Sequence, residues 1–167
     1  MILFSFAGNM DVDKFARIVP SAKKIGIARL PGYNFIFNRT DDDLSSKANI
    51  LLSDDPNDSV WGVLIKLDDI EWPNFYNVGT YSIDFKLETV NCIDADEKIH
   101  TARVFVAEPH AVNTHLLPYD WYHKKVVHLA KNAGLPEGYV SKISLMPFKV
   151  DPDEERRQDE LKKIKVK

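Results

Sequence analysis

The hydrophobic period of this chain changes near Pro118, and that change limits the folds open to it. Before it, apolar residues alternate with polar ones or form short unbroken runs; after it, they recur at helical spacing. In YSIDFKLETV, Tyr81, Ile83, Phe85 and Leu87 alternate with Ser82, Asp84, Lys86 and Glu88. That pattern predicts a strand with one wet face. VWGVLIKL, beginning at Val60, is nearly continuous in apolar residues, as a strand covered on both faces would be. A polar turn at 94–97 leads into IHTARVFVA, so 81–107 reads as an antiparallel hairpin. KKIGIARL and GYNFIFN predict two more strands joined tightly through Pro31 and Gly32. RTDDDLSSKAN, 39–49, reads as a loop before a short apolar piece at 50–52.

The helical signals are of a different kind. The apolar run 2–6 breaks at Ala7, Gly8 and Asn9, and glycine there lets main-chain amides approach a ligand. A short helix follows, capped by Asp11, edged by Phe15 and Ile18 and stopped by Pro20. Beyond Pro118, Tyr122, Val126, Leu129, Ala130 and Ala133 share one helical face, with His123, Lys124, Lys125 and Lys131 largely elsewhere. Gly134 suits the position after the helix, Pro136 blocks continuation, and GYVSKISL predicts a second short helix. The tail 151–167 offers Asp151 as N-cap, Pro152 at the first helical position and Glu154 for a capping box. Its acids precede its bases, but with few apolar anchors it reads as a solvated, fraying helix. The order of elements predicts an α+β fold over 1–150: a mixed or mainly antiparallel sheet, open or curled into a barrel, with helices packed on it, followed by the charged tail.

Several functions find no support in the residues. With 167 residues the chain fits one domain with its own core, and the single Cys92 excludes an intrachain disulfide. There is no basic, apolar leader and no run long enough to span a bilayer, so a cytoplasmic protein without membrane contact is expected. A formal charge of −3 and the lack of a basic, aromatic-interleaved stripe argue against nucleic acid. Five histidines fall in no metal-binding spacing, Asp41-Asp42-Asp43 lacks the alternation of a calcium loop, and no metal site is expected. There is no nucleophile elbow around a serine and no glycine-rich nucleotide fingerprint. Three segments remain, each rich in small and amide residues: the Ala7-Gly8-Asn9 turn, SSKANI from Ser45, and NFYNVGTY from Asn74. They are suited to line one cavity at a barrel end, or to be ordinary turns.

In combination, short motifs resemble those of the γ-glutamylcyclotransferase-like family over most of the chain, from about Leu3 to Ile143. LFSFAGNM resembles the family opening FxYGSNM, GIARLPGYNFIFN its GxAxLxGYxLxFN, and SSKANI its SGxANI. DSVWGVLIKL, ARVFVA and AKNAGLPEGYV match later motifs in the same order. The resemblance implies a small mixed β-barrel flanked by helices, with a cavity at one end and no metal or organic cofactor. It also implies a reaction in which the α-amine of a γ-glutamyl group attacks its own side-chain carbonyl, giving 5-oxoproline and a free amine. Carried over position by position, Phe6, Ala7, Gly8 and Asn9 stand for Tyr-Gly-Ser-Asn, and only the asparagine is kept. Ser45 and Asn49 match SGxANI, with Ser46 in place of its glycine. The family's catalytic glutamate sits in a Glu-Gly pair before Gly-x-Tyr. Gly79, Thr80 and Tyr81 supply the latter, but ungapped placement puts Asn74 and Phe75 at the pair.

An amide cannot serve as general base near neutrality. Glu71, three residues earlier, is the residue expected to act as displaced acid/base; Asp84 is a second candidate, more simply read as a solvated strand carboxylate. Phe6, Ala7, Gly8, Asn9, Ser45, Asn49, Asn74 and Tyr81 are expected to bind substrate. Two functions follow: a divergent cyclotransferase acting on a γ-glutamyl amide, or a non-catalytic module that holds a γ-glutamyl or amino-acid-like small molecule. A scaffold whose charged tail recruits a partner is a third. No expectation about oligomeric state follows.

Overall fold

The computed structural model describes residues 1–77 and 81–165. Five strands close a barrel: β1 (Ile2–Ser5), β2 (Lys23–Pro31), β5 (Ser59–Lys66), β6 (Phe85–Asp94) and β7 (Ile99–Ala107), in the order β1-β5-β2-β6-β7. Neighbours pair antiparallel except at the seam, where β1 meets β7 in parallel at Leu3 and Arg103. Two further strands, β3 (Tyr33–Thr40) and β4 (Ser46–Leu52), form a separate antiparallel ribbon. The α+β reading, with a mixed barrel, is the architecture found.

β5 is flanked by β1 on one side and β2 on the other, and its Val60, Val63, Leu64 and Ile65 are buried. This accounts for its nearly unbroken apolar run. At Gly32 the backbone takes φ 74°, which glycine adopts without penalty, and the chain leaves the barrel for the ribbon there. The loop expected over 39–49 is shorter: Ser46, Lys47, Ala48 and Asn49 belong to β4, where Ala48 faces Phe37. Small and polar residues pair in that ribbon because the main chain supplies the ladder and Asn49 finds buried partners of its own.

The hairpin of β6 and β7 forms with Phe85 opposite Ala107, but its first strand begins later than the alternation predicted. Tyr81–Asp84 make one turn of helix, α3, so Ile83 is exposed and Asp84 is not a strand residue. Burial in β6 also changes phase, with Val90 and Cys92 buried in its second half.

Among the described residues, six helices accompany the barrel. α1 (Val12–Phe15) is a single turn whose Lys14 amide donates to Asp11 Oδ1 at 3.2 Å. α2 (Trp72–Tyr76) follows a 3-10 turn at Asp69–Glu71. α4 (Asp120–Ala133) ends at Gly134, φ 79°, in the left-handed conformation that terminates helices. α5 (Glu137–Ser144) packs back on it, with Ile143 fully buried. His123, expected off the apolar face of α4, is buried: its Nε2 donates to the Ile143 carbonyl at 3.0 Å and its ring lies 4.9 Å from Phe148. Burial lowers its pKa.

α6 (Glu154–Lys165) is the largest departure in the tail. Asp151 is buried rather than capping a free helix: it accepts from Arg156 Nε at 2.7 Å and Nη2 at 2.6 Å, and from Trp121 Nε1 at 2.7 Å. Asp153 takes the cap, accepting the Arg156 amide, while Arg157 pairs with buried Asp120 at 2.9 Å. Charged groups, invisible to an apolar-anchor criterion, tie this helix to α4. Among the described residues no helix is long and apolar enough to cross a membrane, and no group of three or more His, Cys, Asp or Glu could hold a metal ion.

Candidate functional site

Where β1 runs out into the Ala7-Gly8-Asn9 turn, a cavity of about 390 Å³ lies between that turn, α1, α4 and the start of β6. Its size is within the range of small-molecule sites. A second hollow of similar size, between Leu52 and Val112, is mainly aliphatic, and its Lys86 and Glu88 neutralise each other at 2.6 Å.

The first cavity has an aromatic wall. Phe75 packs at 4.7 Å from Phe15 and 4.5 Å from Tyr81, and Tyr81 lies 5.1 Å from Phe105. Phe85 stacks beside Tyr81, with the Arg39 guanidinium 5.4 Å above its ring. Two hydroxyls interrupt this apolar surface. Tyr122 Oη accepts the Ala48 amide at 3.3 Å, which leaves its own proton to be donated; the Tyr81 hydroxyl stands near the Asn9 side chain. Burial raises the pKa of both phenols, so each remains a neutral donor.

Cations form the other wall. Lys14, Arg39, Lys47 and Lys125 line the cavity, against Asp11 as the carboxylate among the described lining residues. Arg39 pairs with Asp41 at 2.6 Å and Asp84 at 3.4 Å, yet its buried Nε has no hydrogen-bond partner among the described residues. Lys47 pairs with Asp43 at 2.7 Å and Asp41 at 3.2 Å. The pKa of Lys125 is lowered, chiefly by burial and then by Lys14. Such a surface binds an anion and donates hydrogen bonds to it.

Phe6, Ala7, Gly8, Asn9 and Tyr81 therefore meet around one space. Gly8 has ordinary backbone geometry and open space where a Cβ would point, so its contribution is room rather than unusual conformation. Four other residues expected at the site are elsewhere. Glu71 does not line the cavity: its Oε2 accepts the Ser21 amide at 2.8 Å and hydroxyl at 2.6 Å, which lowers its pKa. Asn74 is exposed, because α2 turns Phe75 inward and carries Asn74 to solvent. Ser45 is buried in bonds to Asp43 and Lys47. Asn49 is also buried, accepting the Ala107 amide at 2.9 Å and donating to Asn38 Oδ1 at 3.0 Å, so it joins β4 to β7. Gly79 and Thr80 lie outside the described residues.

Sequence reasoning passed over Asp11 as a lining residue and missed Arg39, Lys47, Tyr122 and Lys125. One usable signal was present: Lys125 is three residues beyond Tyr122 on a helix and so flanks the face that carries it. Arg39 and Lys47 gave none, since folding of the ribbon is what brings them to the cavity.

No protein-family model matches this chain, and no curated protein matches it by sequence. Solved structures do match. It superposes on a γ-glutamyl cyclotransferase with a TM-score of 0.80 and 24% identity, covering 98% of each chain. The fold is γ-glutamyl cyclotransferase-like. An uncharacterised human protein shares it at TM-score 0.79 and 23% identity, over 96% of this chain and 97% of that one. YkqA from Bacillus subtilis follows at 0.72 and 18%, over 89% of this chain and 56% of its own. At these identities the likeness concerns the cyclotransferase-like fold, in agreement with the sequence resemblance.

Proposed function

We propose that this chain is a non-catalytic, small-molecule-binding representative of the cyclotransferase-like fold, and that its cavity holds a γ-glutamyl or related amino-acid-like ligand without cyclising it. The observation that carries the reading is the buried Phe75 in the cavity wall, with Asn74 turned to solvent and Glu71 engaged by Ser21. Cyclisation needs a group that removes a proton from the attacking ammonium and returns one to the departing amine. As the new C–N bond forms, the carbonyl becomes a tetrahedral oxyanion; its collapse breaks the bond to the leaving amine. Proximity within one molecule assists the first step, and Tyr122, Arg39 and the Ala7-Gly8-Asn9 turn are suited to hold negative charge. They supply donors without a proton acceptor. Loss of a general base typically removes about 10²- to 10⁴-fold of rate.

A second reading keeps the reaction and gives the proton to Asp11, because its carboxylate lines the same cavity. One pair of assays separates the two. The full chain is titrated calorimetrically with γ-glutamyl amides, and 5-oxoproline is followed by chromatography for wild type and Asp11→Asn. Binding without 5-oxoproline is the expected result. Release by wild type that disappears in Asp11→Asn replaces the first reading with the second, and absence of binding removes both.

A further inference from the structure

The four cations of the cavity differ in how their charge is met. Arg39 and Lys47 are neutralised within the protein by Asp41, Asp43 and Asp84. Lys14 is exposed, and water solvates its ammonium. Lys125 has neither arrangement. α4 holds it half-buried in the cavity wall, and among the described residues it makes no hydrogen bond or ion pair. The charged groups that act on it are Lys14 and Lys163, of like sign, with Asp11 and Glu160 of opposite sign. Glu160 is drawn to Lys163 at 2.5 Å, and Asp11 caps α1 through the Lys14 amide. A partly dehydrated ammonium without a close counter-ion is unfavourable, and an anion delivered into the cavity relieves it.

We propose that Lys125 is a specificity-determining residue that seats an acid group of the ligand, so that the cavity selects small molecules carrying a carboxylate beyond the γ-glutamyl head over neutral amides of the same size. This rests on the ligand-binding reading above. Lys14, on the adjoining helix and facing the same space, adds to the field without being buried. A charge-assisted hydrogen bond in a partly dehydrated wall is worth enough to separate an acid from its amide by about tenfold or more.

Calorimetric titration of the full chain with γ-glutamylglycine and with its C-terminal amide tests the proposal, since the two differ only in the terminal charge. Wild type, Lys125→Arg and a surface control, Lys131→Gln, are expected to prefer the acid by about tenfold or more, and Lys125→Gln to bind both alike. Equal binding of acid and amide by wild type, or a preference that survives in Lys125→Gln, overturns the role of Lys125 while leaving the ligand-binding reading intact. If neither compound binds, the γ-glutamyl reading fails instead. Glutarate and its monoamide then decide Lys125 by the same comparison: a preference for glutarate that Lys125→Gln abolishes supports it, and any other outcome overturns it.

Discussion

At residue scale, two glycines in motif-like positions do different things. Gly62 sits in β5 where a Cβ would run into the Ser5 carbonyl oxygen and come within 2.8 Å of the Phe4 ring. β1 and β5 approach so closely there that only hydrogen fits. Gly62→Ala is expected to destabilise the fold by about 1–3 kcal/mol, read as a lower urea midpoint, because backbone cannot yield as a side-chain tip can. Gly8 has nothing among the described residues within 4 Å of its missing Cβ. Phe75 follows the same local logic with a functional consequence. Its ring completes the contacts among Phe15, Tyr81 and Phe105, and the helical step that buries it exposes Asn74. Packing of one aromatic residue thus decided which of two adjacent side chains reaches the cavity wall.

At element scale, α6 shows how charge substitutes for an apolar stripe. Arg156 holds the Asp151 carboxyl down at about 2, with the Asp153 amide and Trp121 indole adding to it. A carboxylate pKa depressed by folding contributes stability that is full above the unfolded value, about 4. That contribution is lost as pH falls toward about 2. Melting temperatures of wild type and Asp151→Asn are therefore expected to differ at neutral pH, wild type being higher, and to converge between about pH 4 and pH 2. A difference that persists unchanged through that interval contradicts the anchoring role. The sequence placed a helix in this segment from capping and dipole signals, but not its attachment, since the partners Trp121 and Asp120 lie 30 and 37 residues from Asp151 and Arg157.

At the scale of the whole molecule, the single thiol reports on closure of the barrel. Cys92 is fully buried in β6, and burial pushes its pKa up to about 12. In the native state it is expected to react with a thiol-specific disulfide reagent only at the rate of unfolding, with full reactivity in denaturant. Fast labelling without denaturant would place an opening beside β6. The sequence by itself determined the classes of element, because helix and strand periods and end signals act between near neighbours: β5 from its apolar run, α4 from its apolar face and Gly134, α1 from Asp11. It offered the Ala7-Gly8-Asn9 turn as cavity lining or as an ordinary turn, and the structure sets all three residues in the cavity wall. Tertiary structure alone decided that Ser45 and Asn49 are buried ties, that Glu71 belongs to Ser21, and that Arg39, Lys47 and Lys125 converge on one space. Those outcomes depend on distances between segments far apart in the chain, which are set only when the ribbon and α4 pack against the barrel.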